Sequence, residues 1–422
     1  MDQKLECPRN KPVVDFDHES AEHVAHWNDI FHNLRKNCPI AWTEKHGGFW
    51  VASRYEDIVR IARDTDTFSN AKWYDADGTT HGGLNIPPIP GDPVLPNESD
   101  PPEWRKYRDL LGPLFGPSAI ERRRPAAQKF AAAVIDRVIE TGRLDLVMDL
   151  TNPLPAIVTM DMMGLPIAEW PEWAEPCHVI AFAPKESPAF ADSMESMGWM
   201  RKRLYEEFEL RRKQPKDDLI GYLVSSQIDG EHLDDRTLFS LCFNIIIGGV
   251  DTTTALTSNA LMYLDENPVA RRRLSEDRSL IPTACEEFLR YYSPLHGLAR
   301  NVKTDVIVNR QRLSPGERIL LAYASANHDE AIFERPEDII LDRLPNKHIG
   351  FGIGIHRCLG SFLARMMFQV MIEEVLDRLP DYKIDRDLAE HYPSICSVNG
   401  WAKLPASFTP GTKVTDPSRL SL

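Results

Sequence analysis

The feature that most constrains this chain is a glycine-punctuated segment, Phe351-Gly-Ile-Gly-Ile-His-Arg-Cys-Leu-Gly360, that runs straight into an apolar helical pattern over residues 359–376. A cysteine at the start of a helix meets free backbone N–H groups and the positive end of the helix dipole, which favour the thiolate and suit it to hold a metal. Gly352 and Gly354 let the backbone fold around the sulfur, and Gly360 leaves room for a flat group against the helix. A buried structural cysteine after a Gly-rich turn is the alternative. A dinucleotide site is excluded, because the glycines do not fit G-x-G-x-x-G and no P-loop lysine follows.

Residues 235–267 read as one long helix, opened by acidic residues and ended by Asn267-Pro268. Its middle, residues 241–250, is apolar on nearly all faces, so this helix should cross the core. Then comes Gly248-Gly249-Val250-Asp251-Thr252-Thr253-Thr254. Each glycine costs about 1 kcal/mol relative to alanine inside a helix, and a carboxylate with three threonines continues a buried helix poorly. Such a local violation is expected at a functional site. An N-cap of a second helix at Asp251 is the alternative.

Elsewhere the pattern is extended around residues 48–52 and helical again over 55–63. Residues 73–102 are rich in Gly, Pro, Asn and Asp without periodicity, which predicts a long binding or lid loop. Helical patterns dominate from there to about residue 290. Short strands are expected at 306–308, at 318–322 and in a pair flanking Asn399-Gly400. The outline is mainly α with a small β subdomain, one unit without a repeat or linker.

The formal net charge of -14 argues against nucleic acid, whose phosphates need a dense basic surface. Cys7, Cys38, Cys177, Cys242, Cys285, Cys358 and Cys396 are scattered with no C-x-x-C pair, so neither a zinc pair nor a redox dithiol is expected, and a reducing compartment fits. The N-terminal stretch is polar and acidic, unlike a signal peptide or membrane anchor, and the longest apolar run, 241–250, is too short to span a bilayer. A soluble, cytoplasmic protein is expected.

The cysteine loop closely resembles the haem-ligand loop of cytochromes P450, F-G-x-G-x-H-x-C-x-G, at every fixed position. Three further elements follow the family order. Gly248 to Thr254 resembles the segment [A/G]-G-x-[D/E]-T-[T/S], Glu287-Phe-Leu-Arg290 resembles the E-x-x-R pair, and Arg343 resembles the arginine completing that ion network. Taken alone, E-x-x-R is a common surface pair. The resemblance implies a single cytochrome P450 domain over residues 1–422, with Cys358 as the ligand of haem b (iron protoporphyrin IX). It implies that Thr252 hydrogen-bonds the activated dioxygen while Asp251 relays protons, and that Glu287, Arg290 and Arg343 brace the haem-side core. Trp104, Arg108, Arg300 and His356 match positions that hold the haem propionates, although Trp104 stands where bacterial members commonly carry histidine.

The activity this implies is a monooxygenase that inserts one oxygen atom from O2 into a C–H bond of a small hydrophobic substrate. No flavin, iron–sulfur or nicotinamide pattern is present, so electrons should come from a ferredoxin and its reductase, delivered to a monomer. Arg105, Lys106 and Arg122 to Arg124 are a candidate docking patch, with an ordinary solvated face as the alternative. The competing functions are a peroxide-driven peroxygenase and a non-catalytic haem-based sensor. Helical spacing puts Asn244 on the face of Gly248 and Thr252. Asn244, Ile247, Gly248 and Leu295 are therefore candidate substrate residues, Asn244 bonding a substrate oxygen or else a protein or water partner. Cys358→Ser should abolish the thiolate-type spectrum of the reduced CO complex, because an alcohol is a weak donor to ferrous iron; a retained thiolate band would refute the ligand.

Overall fold

The computed structural model describes residues 11–183, 187–395 and 398–415. Cys7, Cys396, residues 1–10 and the side chain of Phe182 lie outside the described range.

A five-stranded sheet flanks the helices, in the order Ile40–Thr43, Phe49–Ala52, Arg318–Leu321, Leu298–Val302, Phe68–Ser69. Strand Phe49–Ala52 is buried along its whole length, the continuous apolar pattern of a strand covered on both faces. Its period of two divides the labour. Trp50 and Ala52 pack with Tyr323 and Ile349 beside the cysteine loop, whereas Phe49 and Val51 pack with Phe16 and Phe31 of the N-terminal region. The sheet thus ties the chain's beginning to the loop that carries Cys358. The expected late strands are present: Val306–Val308 pairs with Gln311–Leu313, and Glu390–His391 pairs with Trp401–Lys403 across residues 399–400.

The expected single helix over 235–267 is two helices, Asp235–Gly249 and Asp251–Glu266. They meet at Val250, whose φ of -90° and ψ of -73° keep it in the helical basin, so the junction is a kink and not a loop. The threonines supply a cause. Thr252 Oγ1 donates to Gly248 O at 3.0 Å and Thr254 Oγ1 to Val250 O at 3.1 Å, and such back-bonding bends helices. A Cβ on Gly249 would come within 3.1 Å of Thr159 Oγ1, so the approach of helix Pro153–Met163 depends on that glycine. Beyond the kink nearly every side chain is buried, against helices Ile281–Tyr292 and Ser361–Arg378. Residues 235–266 are long and apolar enough to cross a membrane by composition, but they form the core of this fold and 67% of the most apolar window is buried in it.

The Pro-rich stretch begins as a hairpin, Lys72–Tyr74 with Thr80–Gly82, and then has no helix until Glu103. It is held in place. Lys72 Nζ lies 2.8 Å from Glu98 Oε2 with both side chains 3% exposed, and the Arg318 guanidinium donates to Gly83 O and Asn85 O at 2.6 and 2.5 Å.

Two ion networks, one fully buried and one half-buried, frame the cysteine loop. Glu287 receives Arg290 through two hydrogen bonds of 2.9 Å, Arg343 at 2.9 and 3.0 Å, Asn346 Nδ2 at 3.1 Å and the Ile340 N–H at 2.8 Å. Arg290 also donates to Asn327 O and Pro336 O, at 3.0 and 2.8 Å. The second network has no counterpart in the sequence expectations: Glu286 accepts two bonds from Arg365, at 2.6 and 2.7 Å, and one from His348 at 2.9 Å. Burial works to raise the Glu286 carboxyl, but the Arg365 and His348 contacts prevail and hold it at about 2, against an ordinary value of 4.5. A depressed folded pKa contributes stability that is complete above the unfolded value and is lost as pH falls through the folded one. Urea midpoints of the wild type should therefore fall between pH 4.5 and about 2. Glu286→Gln should be less stable at pH 7, by an amount of order 3 kcal/mol at most, and should lose that acid slope. An unchanged slope would remove Glu286 as its source.

Candidate active site

The cysteine loop is closed by its own backbone: the Cys358 N–H donates to Phe351 O and the Gly352 N–H to Ile349 O, both at 2.8 Å. Gly354 is required twice, by a φ of +78° and because a Cβ would lie 2.4 Å from Ala62 O at the end of helix Tyr55–Arg63. Helix Ser361–Arg378 starts immediately afterwards, and the Gly360 N–H bonds back to Cys358. The expectation that the helix terminus alone makes a thiolate is corrected here. Burial pushes the thiol up, and the Gly360 N–H with Arg108, Arg357 and Arg365 only partly offsets it. A coordinated cation deprotonates such a thiol outright, so the sulfur suits a metal ligand better than a free nucleophile. Cys358 is nevertheless accessible, which leaves its sulfur open to a ligand.

Cations converge next to it. Arg108, from helix Glu103–Leu111, donates to Arg357 O at 2.6 Å and bears on the Cys358 sulfur electrostatically. Arg300, from strand Leu298–Val302, is 3% exposed and donates to Ala299 O at 2.7 Å and Tyr323 Oη at 3.4 Å. Among the described residues no carboxylate pairs with either arginine. His356 is held neutral, at about 3, by burial first and then by the charges of Arg300 and Arg108. Its Nδ1 is buried with no hydrogen-bond partner among the described residues, and the Trp104 ring meets it edge-on at 5.7 Å. Buried cations without anions are costly. Two guanidiniums and an orphaned imidazole nitrogen beside a cysteine therefore fit the two propionates of a haem.

The helix kink presents two different sides. Asn244, Ile247, Gly248 and Thr252 are only partly buried or open, while Ile245, Ile246, Val250 and Asp251 are buried. A Cβ on Gly248 would meet nothing within 4 Å, so this glycine widens the space along that strip. Asp251 makes no cap. Its Oδ1 accepts from His178 Nδ1 at 2.7 Å and from the Tyr392 hydroxyl at 2.8 Å, and its Oδ2 has no partner among the described residues. His178 lies on helix Trp170–Phe182 and Tyr392 just beyond strand Glu390–His391. Neither was singled out in the sequence, and no local motif marks them. Burial beside Asp251 keeps the Tyr392 phenol well above its ordinary pKa, hence protonated.

Asn244 already has a protein partner: Asn97 Nδ2 donates to its Oδ1 at 2.9 Å. One turn earlier, Ser240 Oγ accepts the Leu95 N–H at 2.8 Å and donates to Pro93 O at 2.6 Å. Of the two expected partners of Asn244, a protein group is thus present at its Oδ1, and the bond serves as a latch for the Pro-rich loop. Leu295 is half-buried, with a backbone bridge to Val398. The candidate docking patch is largely neutralised by Arg105–Asp109, Lys106–Asp229, Arg123–Asp161 and Arg124–Glu121 ion pairs at 3.0, 2.6, 3.5 and 2.6 Å.

A cysteine at a helix start with cationic side chains from a second helix and a strand beside it, and a glycine-opened kinked helix through the core, define a haem-thiolate protein. The comparisons agree. The Cytochrome P450 family model matches residues 189–380. A steroid C26-monooxygenase of Mycobacterium tuberculosis is 32% identical over 384 residues, covering 89% of this chain and 92% of its own. Among solved structures, Mycobacterium marinum cytochrome P450 CYP268A2 in complex with pseudoionone superposes with a TM-score of 0.85 at 27% identity, covering 95% of this chain and 100% of that one. Bacillus megaterium CYP109E1 in complex with testosterone does so at 0.81 and 27% identity, covering 93% and 100%. The chain belongs to the cytochrome P450 family, and it is a haem-thiolate monooxygenase.

Arg300→Leu and Arg108→Leu should each speed haem transfer to apomyoglobin, by a factor equivalent to one charged hydrogen bond of about 1.5–3 kcal/mol. Arg105→Leu, on the exposed face, should not change it. Equal rates in all three would remove Arg108 and Arg300 as haem anchors.

Proposed function

We propose that this protein hydroxylates a C–H bond of a small hydrophobic substrate of terpenoid or steroid type, with protons delivered through Asp251 and Thr252. The substrate class is supported by the steroid-directed relative and by the testosterone and pseudoionone complexes of the structural neighbours. Ile247, Gly248 and Leu295 supply its apolar wall, and Asn244 acts through the loop it latches, its second amide function remaining for a substrate oxygen. The cofactor is haem b, held by Cys358 and by Trp104, Arg108, Arg300 and His356. Electrons come from a separate ferredoxin and reductase, and residues 1–422 work as a single cytoplasmic domain, a monomer. Haem held by Cys358 would supply dioxygen activation, which a cysteine sulfur ligand would favour by donating electron density.

The observation that carries the proton pathway is the division of labour within one carboxylate. Oδ1 of Asp251 is pinned by His178 and Tyr392, while Oδ2 has no hydrogen-bond partner among the described residues. The pinned oxygen fixes the direction of the side chain; the other can take up a proton and pass it on. Thr252, the next residue, stands on the open side with its hydroxyl parked on Gly248 O. Rotation of that hydroxyl moves its proton from the helix carbonyl to the cleft. His178 sits on a different helix, so any shift of Trp170–Phe182 changes the pinning.

With NAD(P)H, ferredoxin and reductase, Thr252→Ala should keep substrate binding but turn reducing equivalents into peroxide instead of product. Asp251→Asn should slow turnover by about 100-fold or more, and His178→Phe should slow it while leaving the CO spectrum intact. An unchanged product yield per NAD(P)H in Thr252→Ala would refute the pathway. Turnover with peroxide alone, and none with the electron-transfer proteins, would make the protein a peroxygenase instead.

A further inference from the structure

The segment that enters the first helix, Ala21–Asn37, lies against the turn between strands Ile40–Thr43 and Phe49–Ala52. There Asp17, His18 and His46 each place one possible ligand atom within 4.8 Å of the others. His46 Nε2 is 2.9 Å from Asp17 Oδ1, and the His18 and His46 rings lie edge to face with centroids 5.1 Å apart. His18 is 4% exposed, and its Nε2 donates to Ile86 O at 2.8 Å. That bond fixes the tautomer and leaves the lone pair on Nδ1. Yet Nδ1 is buried with no hydrogen-bond partner among the described residues, which is uncommon for a buried polar atom. Asp17 Oδ1 is oriented in turn by the Glu19 N–H, at 2.9 Å. An imidazole whose other N–H is spent on a carbonyl, beside an oriented carboxylate, is the supporting arrangement that metal-binding histidines characteristically have.

We propose that Asp17, His18 and His46 bind a divalent transition metal of the zinc type, two imidazoles and a carboxylate leaving the fourth tetrahedral position to water. Nitrogen donors favour zinc over magnesium or calcium, which prefer oxygen. Binding displaces the proton that His46 and Asp17 share. The ion joins the entry to the first helix to the turn after strand Ile40–Thr43. Through His18 it also reaches Ile86, in the Pro-rich loop whose far end is latched to Asn244. Metal occupancy therefore stiffens the base of the loop next to the cleft. Without a metal the same residues would be a His–Asp pair that merely packs the N-terminal segment.

The haem-loaded protein, freed of trace metal with a chelator and dialysed, is titrated calorimetrically with ZnCl2 and, separately, with MgCl2. One zinc per chain and no magnesium are expected. His46→Ala and Asp17→Asn should each weaken zinc by at least about tenfold while preserving the thiolate-type CO spectrum. No zinc uptake, or uptake at unchanged affinity in both variants, overturns the site. Crystals of the unaltered protein soaked in ZnCl2 give a reading that needs no substitution. An anomalous peak between the three side chains supports the site, and peaks only elsewhere overturn it.

Discussion

The placement of the sulfur depends on a buried carboxylate. Glu287 gathers Arg290, Arg343, Asn346 and the Ile340 N–H onto two oxygens, and Arg290 spends its remaining donors on the backbone of residues 327, 336 and 338. Asn327, thus held, accepts the Ile349 N–H at 2.7 Å through its side chain. Ile349 in turn takes the Gly352 N–H, which begins the loop around Cys358. Breaking such a network exposes an uncompensated charge and costs about 3–5 kcal/mol. Helix Ile281–Tyr292, residues 327–346 and the cysteine loop are thereby tied into one piece.

Glu286, next to Glu287, performs the same service on the other side of the loop. Consecutive residues of a helix point about 100° apart, so adjacent glutamates serve separate networks. One faces Arg290 and Arg343; the other faces Arg365 on helix Ser361–Arg378 and His348. The loop is clamped from both flanks, while its accessible side is left to the cleft.

The same use of helical geometry separates Asp251 from Thr252. Thr252 is turned to the open strip and Asp251 to the protein, where His178 and Tyr392 hold one of its oxygens. A continuous regular helix would leave the carbonyls of Gly248 and Val250 fully committed. The kink at Val250 and the threonine hydroxyls that bond those carbonyls make this stretch adaptable. Gly249 contributes by packing, through the close approach of Thr159, and Gly248 by leaving space.

What the sequence determined by itself was local chemistry: a cysteine after glycines at a helix start, a carboxylate and threonines violating a buried helix, a Glu and an Arg three residues apart, and the short continuous apolar run that makes residues 49–52 a strand. Each is a pattern within about ten residues, where backbone geometry alone relates the side chains. The family resemblance extended that to distant candidate haem anchors such as Arg108 and Arg300. The helical pattern runs through Val250 and so hid the break there, and of the two partners open to Asn244, a substrate oxygen or a protein group, Asn97 supplies the second. Tertiary structure alone decided which distant groups meet: His178 and Tyr392 with Asp251, Glu286 with Arg365 and His348, Asp17 with His46. Hydrogen bonds act over about 3 Å, whereas the chain separating these partners has no periodicity that records their distance. Only the packing of the hydrophobic core brings them together.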